Sequence, residues 1–364
     1  MKQTSRALFV ASVIAVATLT ACGGGGGGGG SDAITPVIAP TVSPEAVISP
    51  SGNSVTVPAT PPANAYAAST IVNMQAPLSS YGAASEELKV FNRLNADRMN
   101  CGFGTVRQNI NLDAASFNHL NWTLVNNYQI GHYEDLKFSS GVNAGQLTVG
   151  FTGNSLAERA KYAGYQFEFV SEVLSSMTLP GYYGVGMLKN LYAAPYHAAG
   201  LFSRARDVGV SNTVAGDRTS ILEVTLGYIA SEGPQLLASD SVATFPCQGT
   251  QDTAISLTNE SPNPVPERDL SVQPIGQPIF ITARQGNIIV ISSASVTQVS
   301  NSLSIKLLPT LTNSNDAAAH LFKNEAFVMP DAPLAKNTQY QVNISGTNNA
   351  VPFTKSFTFT TGAT

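Results

Sequence analysis

The chain has 364 residues, a net charge of -4 and 12% charged side chains against 43% apolar ones. That length predicts two domains with tails, with ample apolar content for their cores. The acidic balance excludes a nucleic-acid footprint, which needs clustered Lys and Arg. The abundance of Ser, Thr, Asn and Gly points to a secreted or envelope protein and away from a cytosolic enzyme.

Residues 1–22 carry Lys2 and Arg6, an apolar run over 7–19, and then Leu19-Thr20-Ala21-Cys22. The run is a signal peptide and not a spanning helix, being too short to cross a bilayer. Its Leu-Thr-Ala-Cys ending resembles the bacterial lipobox, which implies cleavage before Cys22 and lipid attachment to that thiol, with the membrane as partner. Gly23, where an Asp would favour inner-membrane retention, points to the outer membrane; the plainer alternative is a secreted protein with an incidental Cys22. With Cys22 assigned to lipid, Cys101 and Cys247 remain as an even pair in an oxidising compartment, and a disulfide is the economical reading. It would close a loop of about 145 residues, worth roughly 4–5 kcal/mol in the chain-entropy description.

Residues 23–79 begin with an unbroken glycine run and continue rich in Pro, Ala, Thr, Ser and Val, a composition expected of a tether between lipid and domain. From Ser85 the texture changes: Ser85 is a cap, and Leu88, Phe91 and Leu94 share one helical face. A second helix is expected with Asp113 as its cap and Phe117, Leu120, Leu124 and Tyr128 along it. Ser155 and Glu158 form a capping box that opens a third, which Gly164 ends. A fourth, weaker helix is expected around 182–192. Strands follow at 207–210, 221–229 and 242–245, and helices followed by short strands imply an α+β arrangement. The Pro-rich stretch 256–268 reads as a linker, and alternating strands with Asn, Gly and Pro turns over 269–364 read as a β-sandwich.

Three segments carry candidate chemistry: His132 in "GHYED", Glu172 in "VSEVL" and His197 in "APYHAAGLF", each expected at the end of an element or in a loop. Two imidazoles and a carboxylate suit a divalent ion such as zinc with one position open to water, and Glu134 could be a fourth ligand or a general base. The plainer alternative is a set of hydrogen-bonded, partly buried histidines. Of the remaining histidines, His119 is expected to point away from the Phe117/Leu120/Leu124 stripe toward the surface or a strand, and His320 to sit in a solvated loop. Asp207 reads as a turn or strand-edge residue. No GxSxG elbow, P-loop or dinucleotide glycine pattern is present.

The run "VFNRLNADRMNCGFGTVRQNINLDAASFNHLNW", then "GHYED", "FTGNSLAERAKYAGY", "SEVLS" and "APYHAAGLFSRARDVGVS", resembles the bacterial branch of the CAP superfamily, the cysteine-rich secretory, allergen and pathogenesis-related group. The resemblance covers about residues 86–247 and implies, for a domain over 80–255, a three-layer α-β-α sandwich with a central cleft that gathers two His and acidic residues and in some members binds a divalent metal. His132 matches the first cleft His, Glu172 the "GEN" glutamate and His197 the His of the "SPGHR" segment. The second cleft glutamate has no match, since Ala193 and Ala194 occupy its place; Glu134 is the expected stand-in. Ala198 replaces the usual Arg after the second His, which weakens the case for strong metal affinity.

The C-terminal 269–364 resembles bacterial immunoglobulin-like modules and implies a spacer or adhesive role without chemistry of its own. The resulting expectation is an envelope-anchored CAP lipoprotein whose cleft of His132, Glu134, Glu172 and His197 binds a divalent metal, on His132, His197 and Glu172, or a small apolar, lipid or peptide ligand. No residue is assigned a catalytic role. Tyr133, Tyr182, Tyr183 and Tyr196 are expected either as aromatic walls near the cleft or as core. A metal-assisted hydrolase using Glu134 or Glu172 as base, and a surface adhesin with a vestigial cleft, are the competing readings.

Overall fold

A computed structural model describes residues 72–128, 130–178, 183–214 and 219–364. The signal peptide, Cys22 and most of the tether lie outside these residues, as does Tyr182. Described in chain order are α1 (Glu86–Asn100), β1 (Arg107–Gln108), α2 (Ile110–Val125), α3 (Leu156–Tyr162), β2 (Phe169–Met177), α4 (Gly184–Ala193), α5 (Pro195–Leu201), β3 (Asp207–Val214), β4 (Ser220–Tyr228) and β5 (Val242–Phe245). There follow β6 (Ile279–Ala283), β7 (Ile289–Gln298), β8 (Ser304–Ile305), β9 (Leu311–Thr312), β10 (Glu325–Val328), β11 (Gln339–Asn348) and β12 (Val351–Thr360). The chain is α+β.

Local chemistry sets the helix ends. The Ser85 side chain accepts from Leu88 N at the start of α1, and Ser155 and Glu158 complete a reciprocal capping box on α3. The cap of α2 is Asn109, whose side chain accepts from Asn111 N and Leu112 N. Asp113, expected in that role, instead lies in the first turn and accepts from Tyr81, Gln108 and Val210 N. With Asp113 so used, burial still pushes its carboxyl up to about 6.

The first sheet runs β1-β3-β4-β2. Its two faces bury different helices because alternate side chains point to opposite sides. Val173, Val208, Val210, Leu222, Val224 and Leu226 join Val90, Phe91 and Leu94 of α1 and Met187 and Leu188 of α4 in one core. Val170 packs with Leu112 of α2 and Leu156 of α3, and Leu174 and Ile221 pack with Leu120. Helices therefore cover both faces. The segment 169–177, which the strand search passed over, is the end strand β2, and Glu172 sits within it, away from any loop.

The two other sheets run β5-β6-β10-β9 and β12-β11-β7-β8. Their facing sides share Ile279, Ile281, Val296, Val328, Val342 and Phe359 in one core. The opposite side of the β5-β6-β10-β9 sheet, with Phe245, Phe280 and Phe327, belongs to the core of the helical unit. That sheet is buried on both faces, as the unbroken burial along β5 and β6 records. Chain texture places β5 before the Pro-rich stretch 256–268, yet β5 pairs with β6 beyond it. The two units thus share a strand register and a core.

A disulfide joins Cys101, at the end of α1, to Cys247, just after β5, with a Cα–Cα distance of 5.5 Å. Residues 72–79, tether by composition, pack on the domain: Asn73 O accepts from Thr105 N at 2.7 Å and Asn73 N donates to Gln235. Apolar content alone misses this because the anchoring is made by backbone groups.

Candidate functional site

Glu172 faces the α2–α3 side of β2, and its carboxylate is fully engaged there. Arg159 of α3 donates from Nη2 to both Glu172 oxygens at 2.7 Å, and His132 Nδ1 lies 2.9 Å from Glu172 Oε1. Arg159 Nη1 also donates to His132 O at 3.0 Å, tying the loop after α2 to α3. Burial would raise the Glu172 pKa, but the Arg159 charge and then His132 outweigh it and hold the carboxyl well below the usual range. Burial holds His132 below its ordinary pKa despite Glu172, and the charges of His197 and His119 act in the same direction. Glu223, two residues along β4 from Thr225, the partner of Glu172 in the register, lies on the same face. Burial and then the Glu172 charge push its carboxyl well above the usual range, opposite in direction to Glu172.

Glu134 belongs to a second set. Its Oε1 is 3.2 Å from His119 Nδ1 and its Oε2 accepts from Thr152 N at 2.7 Å. His119 Nε2 faces Gly131 O at 2.7 Å. His119 is completely buried, which rules out the surface position among the two expected for it; with Glu134 it pins the 131–134 loop that presents His132.

His197 comes from the other helical layer, in the first turn of α5. Its Nδ1 lies 3.0 Å from Glu260 Oε1, which also accepts from Tyr196 N at 2.8 Å. Glu260 comes from the Pro-rich linker, and burial raises its pKa although His197 opposes the rise. β2 is an end strand of the sheet, and His132 and His197 come from the helical layers on its two faces. Each imidazole has its Nδ1 on a buried carboxylate and its Nε2 buried without a protein hydrogen-bond partner.

The structure brings His132 to Glu172 and sets Glu134 with His119 and His197 with Glu260. All four expected cleft residues are at most 4% exposed, and of the four Glu172 contributes to the wall of a cavity beside β2. Among the described residues no group of three or more His, Cys, Asp or Glu side chains is arranged to hold a metal. Glu172 orients His132, and the geometry leaves the two Nε2 atoms as the available donors.

Tyr133 and Tyr183 are about half exposed, and Tyr196 is buried with its hydroxyl donating to Asp316 of the C-terminal unit at 2.6 Å. Asp207 is a buried partner of Arg107 and Tyr165. His320 packs edge-on against Tyr196 with centroids 5.0 Å apart, a contact between units in place of the expected solvated loop.

Sequence reasoning missed Arg159, Glu223 and Glu260. The first two left a signal: Arg159 falls in the buried stripe of α3 with Leu156 and Ala160, and Glu223 is the one charged residue of a strand buried along its whole length. A charge in either place needs a buried partner. Glu260 left none, since a Pro-rich stretch reads as exposed.

No family model matches the chain, and no curated protein matches it. Among solved structures, an outer surface protein from Borrelia burgdorferi is similar over 41% of this chain and 96% of its own, at 12% identity and a TM-score of 0.32. At that score the likeness bears on neither fold family nor function.

Proposed function

We propose that this chain is an envelope-anchored binding protein of the CAP type whose His132 and His197 together take a divalent metal, without turnover. The observation that carries the reading is the paired orientation: each Nδ1 is fixed by a buried carboxylate and each Nε2 is left without a protein partner. Ligating histidines are held in this way, a carboxylate on the far nitrogen fixing the tautomer and raising basicity. Burial also keeps His132 neutral at pH 7, as a ligand must be. A bound ion would supply a positive centre able to hold an anionic or carbonyl group of a ligand.

Two protein donors are fewer than a structural zinc site uses, which fits modest affinity with positions left for ligand or water. The helix layers on both sheet faces support the CAP assignment, with Glu260 supplying the second glutamate that the motif comparison lacks. Glu134 and Glu172 both have their oxygens committed to structural partners, which favours binding over hydrolysis. The lipid anchor at Cys22 and an outer-membrane address rest on the lipobox alone.

Metal analysis after dialysis against zinc tests the reading. The wild type should retain about one zinc per chain and the His132→Gln/His197→Gln variant should retain none while keeping its fold; equal retention in both would reject it.

A further inference from the structure

A cavity of about 390 Å³ lies at the seam between the two units and borders the histidine site through Glu172, the partner of His132, and Tyr196, the neighbour of His197. One wall is the β2 end strand with Phe103 and Phe202; the other is the end of β6 and the 320–325 loop. His132, His197 and Glu134 do not reach it. Seven consecutive residues, from Phe167 to Val173, line it, so it looks onto the strand edge, since a cavity facing one side of a strand meets only alternate residues.

Its lining includes the rings of Phe103, Phe167, Phe169, Phe202 and Phe322. Phe103 and Phe202 meet with centroids 4.7 Å apart, and the Arg204 guanidinium lies 5.0 Å from the Phe169 ring centroid. Arg204 makes no ion pair among the described residues, and its Nε is buried without a hydrogen-bond partner, as is the hydroxyl of its neighbour Ser203. Of the acids in the lining, Glu168 is exposed, Glu172 is paired with Arg159, and Glu325, whose carboxyl burial pushes up to about 7 against the opposing charge of Arg204, accepts from Phe322 N. Arg284 adds a second, half-buried cation to the lining.

A partly open cleft of this size, apolar over most of its wall with a few convergent polar groups, is the usual form of a small-molecule site. A planar guanidinium matches a carboxylate in two-point geometry, and ring walls favour a ring-bearing body. We propose that the seam cavity binds a compact aromatic carboxylate, its rings against Phe103, Phe169 and Phe202 and its carboxylate on Arg204. The proposal does not depend on metal at the histidines.

Equilibrium dialysis of the full chain with 2-naphthoate, 2-naphthalenemethanol and decanoate tests it. Wild type should bind one naphthoate per chain, at least tenfold tighter than the neutral alcohol. Arg204→Met, which keeps the apolar stem, should weaken naphthoate at least tenfold and leave the alcohol unchanged. Ala199→Trp, placed in the cavity wall, should abolish both, and the His132→Gln/His197→Gln variant should change neither. Equal affinity for acid and alcohol, naphthoate binding that survives either Arg204→Met or Ala199→Trp, or no saturable binding to the wild type would each overturn the assignment. Tighter binding of decanoate than of naphthoate would overturn the aromatic assignment in favour of an acyl chain. Ala199→Trp is read only if its thermal melt matches wild type; the Arg204→Met comparison decides the matter without it.

Discussion

At Glu223 and Glu172 two buried carboxyls stand side by side on one sheet face with opposite pKa shifts. A carboxyl with a raised folded-state pKa keeps a proton that the unfolded chain releases. Glu223 therefore has no effect below an unfolded value of about 4.3 and erodes stability as pH rises from there toward its folded value. Glu172, with its pKa lowered, stabilises above the unfolded value, and that contribution is lost as pH falls toward the folded one. Glu223→Gln, which can still donate to Glu172, should match wild type in urea unfolding at pH 4.5 and exceed it by a growing margin at pH 6 and 8. A margin independent of pH would contradict this. Glu172→Gln removes the two-point partner of the buried Arg159, leaving it Glu134 at 3.9 Å, and should cost about 3–5 kcal/mol at pH 7, read as a lower urea midpoint with the slope unchanged.

Among the elements, α2 packs closely on β3 at a glycine. A Cβ on Gly209 would lie 2.2 Å from the backbone carbon of Leu112. Gly209→Ala must therefore push α2 from the sheet and should destabilise by about 1–3 kcal/mol or more, measurable as a lower thermal midpoint. The linker acts as an element too, because Glu260 reaches back to the first turn of α5 and orients His197. Glu260→Ala should weaken zinc binding about 10–100-fold while the fold survives, and unchanged affinity in a calorimetric titration would remove Glu260 from the account. Much of the helical layout was legible because caps and apolar spacing are local: Ser85, the Ser155–Glu158 box and Gly164 stand where the pattern puts them. β2 was not, because its run of Ser and Glu hides the alternation that marks a strand. The partner of His197 was not either, since a contact across 63 residues of sequence has no local signature.

For the whole molecule, the composition shift at 256–268 marks a change of texture, while the cores continue across it. Phe245 packs on Tyr192 and Phe202 with centroids 4.6 and 4.4 Å away, and Phe280 stacks on Phe103 at 6.2 Å. A chain ending at residue 255 would lose β6 from beside β5 and expose this aromatic layer; it should be recovered from the insoluble fraction, whereas a monodisperse, cooperatively melting product would show the helical unit to be independent. The disulfide fastens the same seam, and the Cys101→Ser/Cys247→Ser variant should lose about 2–5 kcal/mol in denaturant unfolding. The proposed metal site would depend on the assembly at this scale, for it would draw His132 and His197 from opposite helical layers and Glu260 from the connection between the units. The most direct measurement is imidazole nitrogen–proton correlation NMR at pH 7, before and after one equivalent of zinc. The account predicts that His132 and His197 both carry their proton on Nδ1 and that zinc shifts both Nε2 resonances; a proton on Nε2 of either ring, or zinc leaving both unmoved, would contradict it.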